Sequence, residues 1–319
     1  MNKPRHSTIE VRVPASTANL GAGFDCFGLA LQLYLNVRAT VLTGAADRSQ
    51  VRSRGSKGSS LLARLPGENL IFRAMQYAAE HEGFKLPPVR LAVHNAIPVA
   101  AGLGSSAAAI VAGVSLAFAV VGRGMSTDSA LRYAAGLEGH ADNVAAALLG
   151  GLVITAARAD GAVLAIRKVW PREIRIVAVT PDLSLETKKS RAALPATISR
   201  EDAVHNLQRS ALMIAALEEK RFDLLWDALQ DRLHQPSRAL LIPGLAEILQ
   251  MPRAPGLLGL ALSGSGPTVI ALATDHYGDI GKSIALHFER HRLPATVHLL
   301  DVASDGHTIT ASILQGSRP

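Results

Sequence analysis

A short segment rich in glycine and serine, Pro98-Val-Ala-Ala-Gly-Leu-Gly-Ser-Ser-Ala107, has the composition of a phosphate-binding loop. Gly102 and Gly104 would let backbone N–H groups approach an anion closely. A helix predicted to begin at Ser105 would add unpaired N–H donors and the positive end of its dipole. The hydroxyl groups of Ser105 and Ser106 could reach a phosphate or a metal ion bound to it. From the residues alone, a helix entry with serine caps explains this segment about equally well.

Two well-known phosphate loops do not account for the segment. A Walker A loop requires Gly-Lys-Ser/Thr, and the segment contains no lysine. The string from Gly102 to Ala107 fits the dinucleotide fingerprint G-x-G-x-x-G/A, which expects an acidic residue at the end of a strand about 20 residues further on. Asp128 lies instead in Ser126-Thr-Asp, where a helix is predicted to begin. The sequence therefore disfavours a nicotinamide-dependent enzyme.

A dense group of polar residues, Glu138-Gly-His-Ala-Asp-Asn143, interrupts helices rich in alanine and leucine. Charged side chains in apolar surroundings are costly unless they are paired or bound to a metal ion. Glu138 could bind Mg²⁺, which prefers oxygen ligands. Zinc is disfavoured, because His140 and Asp142 lack further ligands at a suitable spacing. The alternative is a solvated loop between two helices.

Two further loops of small residues contain groups that could contact a ligand. Leu262-Ser-Gly-Ser-Gly-Pro-Thr268 separates two apolar strands, and it is typical either of a loop that touches a ligand or of a simple hairpin turn. Pro14-Ala-Ser-Thr-Ala-Asn-Leu-Gly-Ala-Gly-Phe-Asp25 meets the end of a predicted strand and contains Asn19 and Asp25. A turn alone does not need both of these polar side chains.

These four segments resemble the GHMP kinase superfamily and, within it, the homoserine kinase family. The superfamily's phosphate loop, P-x-x-x-G-L-G-S-S-A, matches residues 98–107, and its C-terminal glycine loop matches Ser263–Thr268. The N-terminal string from Val13 to Asp25 looks like the homoserine kinase version, because the Gly-Glu-His of mevalonate- and galactokinase-like members is absent there. Two more segments agree, Glu186-Thr-Lys-Lys-Ser-Arg-Ala-Ala-Leu-Pro195 and Asp231-Arg-Leu-His-Gln-Pro-Ser-Arg238. The resemblance covers nearly the whole chain.

The resemblance implies a phosphotransferase that uses ATP to phosphorylate the side-chain hydroxyl of L-homoserine, a step of threonine biosynthesis. ATP would lie with its phosphates on the glycine-rich loop. Mg²⁺ would be held by Ser106 and Glu138. Asn69 would take part in the adenine pocket, although an N-cap for its helix is an equal explanation. The residues that match the ATP site are Asn69, Pro98, Gly102, Leu103, Gly104, Ser105, Ser106 and Ala107.

On the substrate side, the resemblance implies that Arg191 and Arg238 hold the carboxylate of homoserine, since a planar guanidinium can pair with it bidentately. Asp25 would bind the ammonium group. Asp142 would lie near the reacting hydroxyl, either as a general base or only as an orienting group, and Asn143 would stabilise the transferring charge. The other residues that match the substrate site are Asn19, His140, Thr187 and Gly264.

The order of secondary-structure elements predicts an α+β fold. Apolar alternation predicts strands at 11–14, 29–42, 89–94, 152–156, 174–179, 259–262, 268–272 and 296–300. Helical spacing predicts helices at 69–82, 105–121, 127–137, 200–219, 222–234 and 280–290. A polar loop or hairpin is expected at 43–60. A composition change near Arg158 predicts domains of residues 1–165 and 166–319, and the resemblance implies an active site between an N-terminal α/β domain and a C-terminal ferredoxin-like domain.

The composition is that of a globular chain with a large aliphatic core. Of the 319 residues, 48% are hydrophobic and only Cys26 is a cysteine, which excludes a disulfide framework. Together with a charged N-terminus that no apolar segment follows, this predicts a cytoplasmic protein. The uncharged stretch from Ala96 to Gly122 is long enough to span a membrane, but it contains Pro98 and is rich in alanine, which favours a buried helix.

A net charge of +7 leaves an anion-binding or nucleic-acid-binding protein as an alternative from a different class. The densest basic group is Arg48, Arg52, Arg54 and Lys57, in a segment rich in glycine and serine. Because the arginines are dispersed and not interleaved with aromatic residues, we expect neither a nucleic-acid nor a membrane partner. A GHMP kinase that acts on another small alcohol is the alternative within the same class. Such kinases are commonly homodimers, although the sequence shows no interface.

Overall fold

The computed structural model describes residues 8–42, 48–55 and 67–312, which form two β-sheets packed with helices. The strands are β1 Thr8–Ala18, β2 Phe27–Val41, β3 Gln50–Gly55, β4 Val89–Asn95, β5 Leu152–Ala157, β6 Val163–Lys168, β7 Arg175–Pro181, β8 Leu257–Leu262, β9 Val269–Ala273, β10 Ala295–Leu300 and β11 Thr308–Ser312. The helices are α1 Leu70–His81, α2 Ser105–Val120, α3 Thr127–Glu138, α4 Asp142–Leu149, α5 Thr187–Ala192, α6 Arg200–Glu218, α7 Leu225–Ala228, α8 Gln235–Ala239, α9 Leu245–Leu249 and α10 Tyr277–Arg290.

Among the described residues, the first sheet has seven strands, with β11, β1, β2, β4 and β3 in that spatial order. A hairpin of β5 and β6 joins it through the first residues of β2. The helices α2 and α4 pack on β1 and β2, and α1 packs against α2. This contact is close because α2 consists largely of small residues. A side chain at Gly113 would lie 2.3 Å from the carbonyl oxygen of Ile71 in α1.

The uncharged segment is a core helix, as its alanine content predicts. Nearly every residue of α2 is buried, because the sheet, α1, α3 and α4 surround it. Within the described part of the chain, no helix combines the length and the apolar character needed to cross a membrane. The loop that precedes α2 lies against the second half of the molecule. There it contacts the glycine loop between β8 and β9.

The second sheet is antiparallel, with its strands in the order β10, β7, β9 and β8. Its two faces follow the strand alternation of period two. Val177 and Val179 pack in one cluster with Phe288 of α10, whereas Ile176 and Ala178 belong to the larger core that includes α6 and the first sheet. The α+β class and the two-part architecture predicted from the sequence are confirmed.

The predicted helix at 222–234 is wrong. The chain forms a 3-10 turn at Phe222–Leu224 followed by the short α7, and the helical conformation ends at Ala228. Asp231 lies between α7 and α8, and its carboxylate accepts hydrogen bonds from the backbone N–H groups of Leu233, His234 and Gln235. These contacts lie at the start of α8, which has Pro236 in its first turn.

Three strands, β3, β6 and β11, were not predicted. The segment 43–60 was expected to be a loop or hairpin, but its residues 50–55 form β3, which pairs in parallel with β4; residues 43–47 and 56–60 lie outside the described residues. The strand β11 pairs with β1 at the edge of the first sheet. Both edge strands are polar, so they lack the apolar alternation on which the prediction depends. β6 runs across the expected boundary between residues 165 and 166.

Candidate active site

A cavity of about 350 Å³ opens where the two sheets meet. Its walls come from the N-terminal loop, the phosphate loop, the segment between α3 and α4, the start of α5, α8 and the glycine loop between β8 and β9. The predicted site residues that line it are Asn19, Asp25, Gly102, Gly104, Ser105, Ser106, Glu138, His140, Asp142, Asn143, Thr187, Arg191, Arg238 and Gly264. Segments that are far apart in the sequence therefore meet in one cleft.

The phosphate loop presents backbone donors to this cavity. Its residues Ala100, Gly102 and Gly104 have φ values of 55°, 80° and 70°, an alternation that is typical of anion-binding nests. The carbonyl oxygens of Ala101 and Leu103 accept hydrogen bonds from the backbone N–H groups of Thr268 and Ser16, both outside the loop. Because C=O and N–H point in opposite directions across a trans peptide, the N–H groups of Gly102 and Gly104 point away from those neighbours.

The two glycines of the loop are required by close packing as well as by conformation. A Cβ atom at Gly104 would lie 2.1 Å from the Oγ of Ser16, and one at Gly102 would lie 2.3 Å from the carbonyl oxygen of Ser263. Ser263 also donates a hydrogen bond of 2.7 Å to the carbonyl of Gly102. The C-terminal glycine loop is thus pressed against the phosphate loop, which excludes a simple solvent-exposed hairpin turn.

Ser106 and Glu138 form a pair of oxygen donors at the start of α2. The Ser106 hydroxyl donates to Oε1 of Glu138 at 2.5 Å. Burial is the main cause that raises the pKa of Glu138 above its usual value, and the hydrogen bond from Ser106 only partly opposes it. Among the described residues, no Lys or Arg forms an ion pair with this carboxylate. A hard cation bound here would compensate its charge, so the donor set fits Mg²⁺.

His140, Asp142 and Asn143 form a connected polar group. Oδ1 of Asp142 accepts hydrogen bonds from Nδ1 of His140 at 2.7 Å and from the backbone N–H of Asn143 at 2.7 Å. Burial would lower the pKa of His140, but the hydrogen bond to Asp142 and the charges of Asp142 and Glu138 raise it overall. Ser16 fixes Asn143 by donating to its Oδ1 at 2.8 Å. Within the described chain, nothing donates to Oδ2 of Asp142, which leaves this oxygen available to a ligand.

Arg191 and Asp25, which were predicted to bind opposite charges of the substrate, pair with each other. Two parallel hydrogen bonds of 2.8 Å join the guanidinium of α5 to the carboxylate of the N-terminal loop. The pKa of Arg191 is raised, mainly by this hydrogen bond. Both side chains are more than one-third exposed to solvent, so they remain accessible from the cavity. A zwitterionic ligand would offer each of them a replacement partner.

Arg238 is the more buried of the two arginines, with only 2% of its surface exposed. Its Nη1 donates to the carbonyl of Gly264 at 2.9 Å and lies 3.0 Å from Nδ1 of His234. Burial and the nearby charge of Arg191 lower its pKa to about 10. Among the described residues it has no carboxylate partner, and its Nε–H is buried without an acceptor. This cation is therefore arranged to receive an anion from outside the protein.

The N-terminal loop brings its polar side chains to the cavity through an irregular backbone. Asn19 and Asp25 both have positive φ values, of 72° and 54°. The Nδ2 of Asn19 donates to the carbonyl of Gly264, and its Oδ1 accepts from the backbone N–H of Asp25. Asn19 thus holds the loop to the C-terminal glycine loop and positions Asp25.

Four predicted ATP-site residues do not line the cavity, namely Asn69, Pro98, Leu103 and Ala107. Asn69 is the N-cap of α1, and its side-chain oxygen accepts from the backbone N–H groups of Ile71 and Phe72. Its neighbours Glu68 and Leu70 do line the cavity. Asn69 therefore shapes this end of the cleft through the helix start, and contact between Asn69 and ATP stays a prediction.

Sequence reasoning missed several residues of the site. Ser16 and Ser265 belong to motifs that were recognised, but neither received a role, although Ser265 lines the cavity and is 3.3 Å from Oγ1 of Thr187. Phe24 precedes Asp25, and its ring lies 5.5 Å from the guanidinium of Arg191. His234 lies one helical turn before Arg238, which was the only signal that it could contact this arginine.

The described residues of the basic group do not line this cavity. Arg52 and Arg54 line a groove of about 550 Å³ on the exposed face of the first sheet, together with Arg12 and Arg38. Arg38 is paired with Glu10, and Lys57 lies outside the described residues. The groove is separate from the phosphate loop, so the anion-binding alternative has a different location from the candidate active site.

Comparison with known proteins agrees with the class that the two-sheet fold and the glycine-rich cleft define, that of the GHMP kinases. The family model for the GHMP kinases N terminal domain matches residues 69–151, and that for the GHMP kinases C terminal region matches residues 213–280. Homoserine kinase of Desulfitobacterium hafniense is 43% identical over 304 residues, which cover 94% of this chain and 99% of that protein. The chain belongs to the homoserine kinase family.

Two further comparisons support this assignment. Homoserine kinase of Solibacter usitatus is 43% identical over 279 residues, covering 86% of this chain and 88% of that protein. The crystal structure of homoserine kinase from Cytophaga hutchinsonii has a TM-score of 0.83 to this chain at 26% identity, and the match covers 97% and 99% of the two chains. The likeness thus extends over both halves of the molecule.

Proposed function

We propose that this chain transfers the γ-phosphoryl group of ATP to the side-chain hydroxyl of L-homoserine, giving O-phospho-L-homoserine and ADP. The observation that carries the proposal is one cleft that joins a loop with backbone donors to a buried guanidinium, which has no acid partner among the described residues. The first feature suits a nucleotide phosphate. The second suits the carboxylate of an amino acid.

At the nucleotide end, the backbone N–H groups of the loop and the N-terminus of α2 bind the phosphates. Leu70 and Val99 provide apolar surface beside them, where the base would lie. Ser106 and Glu138 would hold Mg²⁺, which supplies positive charge to the phosphate oxygens during transfer. The chain itself contributes a preorganised set of donors, which is the main requirement of a phosphoryl-transfer site.

At the substrate end, Arg238 binds the carboxylate of homoserine through the edge of the guanidinium that the protein leaves unpaired. Arg191 adds a second contact to the carboxylate, and Asp25 binds the ammonium group. These two residues exchange their mutual ion pair for two ion pairs with the substrate, so no charge becomes unpaired on binding. Asn19, His140, Thr187 and Gly264 complete the walls of this pocket.

Between the two ends, Asp142 receives the hydroxyl of the substrate at its free Oδ2. As the new O–P bond forms and the bond to ADP breaks, the hydroxyl proton passes to this oxygen. His140 stabilises the carboxylate by its hydrogen bond to Oδ1. The amide of Asn143, fixed by Ser16, stabilises charge on the transferring group.

The direct test is an ADP-release assay with ATP, with and without Mg²⁺, over a panel of L-homoserine, L-threonine, L-serine and mevalonate. We expect turnover that depends on Mg²⁺ and is strong only with homoserine. Turnover with mevalonate instead would show that the class is correct and the substrate is wrong. An absence of turnover from folded, ATP-binding protein on every alcohol would contradict the proposed activity.

A further inference from the structure

We propose that His234, as the neutral Nε2–H tautomer, is a positioning residue that orients Arg238 for the substrate's carboxylate and ties it to the N-terminal loop. The inference rests on the proposed function, because it takes Arg238 as the carboxylate ligand. His234 itself does not line the cavity. Its effect on the substrate must therefore pass through Arg238.

The hydrogen-bond partners determine the tautomer. Nε2 of His234 is 2.8 Å from the carbonyl oxygen of Gly21, which can only accept a hydrogen bond. Nδ1 is 3.0 Å from Nη1 of Arg238, which can only donate. Nε2 must therefore donate and Nδ1 must accept. Both ring nitrogens are used, and the imidazole has no exposed surface.

The charged groups around the ring keep it neutral. Burial is the largest influence that lowers the pKa of His234, and the charge of Arg238 lowers it further. Asp231 lies 3.6 Å from Nε2 and opposes this, as does the more weakly acting Asp25. However, Asp231 is already engaged by three backbone N–H groups and by Nδ2 of Asn206. A proton on Nδ1 would also face the N–H of Arg238, so protonation would break the contact.

The contact decides which edge of Arg238 faces the ligand. Nη1 is held between two acceptors, Nδ1 of His234 and the carbonyl of Gly264. Since the guanidinium is planar, fixing Nη1 from two sides fixes the whole plane. The remaining edge contains Nη2 and the buried Nε, which has no acceptor among the described residues, so this is the edge left to pair with a bidentate carboxylate.

The same histidine connects this edge to the opposite wall of the pocket. The ring of Phe24 stacks on His234, with centroids 5.2 Å apart, and lies 5.4 Å from the guanidinium of Arg238. Phe24 and Gly21 both belong to the loop that carries Asp25. Through its two nitrogens and its stacked face, His234 sets the relative position of the carboxylate ligand and the ammonium ligand.

Two substitutions remove the hydrogen bonds of His234 to Arg238 and to Gly21 one at a time. The oxygen of Asn can occupy the position of Nδ1, so His234→Asn keeps an acceptor for Arg238 and loses the bond to Gly21. The amide nitrogen of Gln can occupy the position of Nε2, so His234→Gln keeps the bond to Gly21 and removes the acceptor. Both variants are uncharged and polar, which makes each the control of the other for burial of a polar group.

The readout is the ratio of kcat/KM for L-homoserine to kcat/KM for L-homoserine amide, which lacks the carboxylate charge. We expect His234→Gln to raise the KM for homoserine about tenfold and to lower this ratio, with the KM for ATP unchanged, because a hydrogen bond to a charged group is lost. His234→Asn should keep a ratio close to that of the wild type. A merely structural role would lower both rates equally and leave the ratio unchanged in both variants, which would overturn the inference.

The tautomer of His234 can also be measured in the wild-type enzyme, which tests the inference even if a variant does not fold. The ¹⁵N chemical shifts of His234 at neutral pH should report a protonated Nε2 and an unprotonated Nδ1. A protonated Nδ1 would overturn the inference whatever the variants show. If the wild-type enzyme phosphorylates homoserine but the ratio does not respond, only this inference fails. If it does not phosphorylate homoserine at all, the proposed function fails first, and the inference fails with it.

Discussion

The two ends of the cleft are built in different ways. The nucleotide end is centred on one continuous stretch, residues 98–107, with Leu70 and Glu138 joining it from other segments. It works mainly through backbone groups and the absence of side chains at Gly102 and Gly104. The substrate end is assembled from five segments far apart in the chain, and it works through ionisable side chains such as Asp25, Arg191 and Arg238. The first end is preorganised by local conformation, whereas the second depends on tertiary packing.

This difference predicts which substitutions affect which substrate. A change in the phosphate loop should impair ATP binding together with stability, because backbone packing serves both. A change at the substrate end should alter homoserine binding alone. Asp142 and Asn143, which lie where the two ends meet, should act on the transfer itself.

The largest effect is expected for Asp142→Asn. The substitution keeps an oxygen that can accept from His140 but removes the basic Oδ2, so kcat should fall about 10³-fold while both KM values change little. The exposed Asp128→Asn on α3 is the matched control and should retain full activity. A loss of less than about tenfold for Asp142→Asn would mean that Asp142 only orients the hydroxyl.

Gly104→Ala should be next in size and should act on the nucleotide end. The new methyl group would meet Ser16, and the residue would keep a positive φ, so we expect unfolding to become easier by about 1–3 kcal/mol and the KM for ATP to rise at least about tenfold. Gly122 has a similar φ of 69° with no neighbour within 4 Å of its Cβ position. Gly122→Ala therefore measures the cost of a positive φ at an alanine without the steric contact that Gly104→Ala adds. Equal ATP binding by the two variants would contradict the role of close packing in the loop.

Arg191→Ala should have a smaller effect, confined to the substrate end. Because Arg191 is partly exposed and Arg238 remains, the KM for homoserine should rise about five- to tenfold, with the KM for ATP unchanged. Arg191→Lys keeps the charge but not the bidentate geometry, so its KM for homoserine should lie between those of the wild type and Arg191→Ala. Equal losses for homoserine and ATP would refute the assignment of Arg191 to the carboxylate.

The smallest effect at neutral pH concerns stability. Burial lowers the pKa values of His234, His298 and His307 in the folded protein. As the pH falls, each of these histidines therefore gains a proton in the unfolded chain before it does so in the folded protein. The free energy of unfolding should therefore be independent of these groups above pH ~6.5 and should fall as the pH drops below it. Urea unfolding at pH 7.5 and 5.5 should show a smaller decrease for His234→Asn than for the wild type. The same decrease in both proteins would contradict a buried neutral His234.

The contrast between the two ends also explains what the sequence could predict. The starts of α1, α2, α3 and α6 and the burial of α2 depend on local signals, and these predictions were correct to within one residue. The role of residues 98–107 as a phosphate loop stays a prediction. The strands β3 and β11 could not be predicted, since polar edge strands owe their conformation to partners distant in the chain. The predicted helix at 222–234 failed because α7 ends at Ala228 and the Asp231 carboxylate then pairs with the backbone N–H groups of His234 and Gln235 instead of leaving them to a continuing helix.

The side-chain partners at the substrate end could not be predicted from the sequence either. The resemblance provided Arg191 and Asp25 as ligands, but no spacing rule shows that they pair with each other across 166 positions. The contact between His234 and Arg238 has a local signal, a separation of one helical turn. Its meaning depends on Gly264 and Gly21, which only the fold brings to either side of the pair.

The most direct test of the division into two ends is calorimetric binding of homoserine and of ATP to Arg238→Ala and to the wild type. We predict that the variant loses measurable homoserine binding, because it removes the buried unpaired cation, and that it binds ATP with unchanged affinity. Homoserine binding that is unchanged in the folded variant would contradict the central claim that Arg238 is the carboxylate site. An equal loss of both ligands would contradict the independence of the two ends.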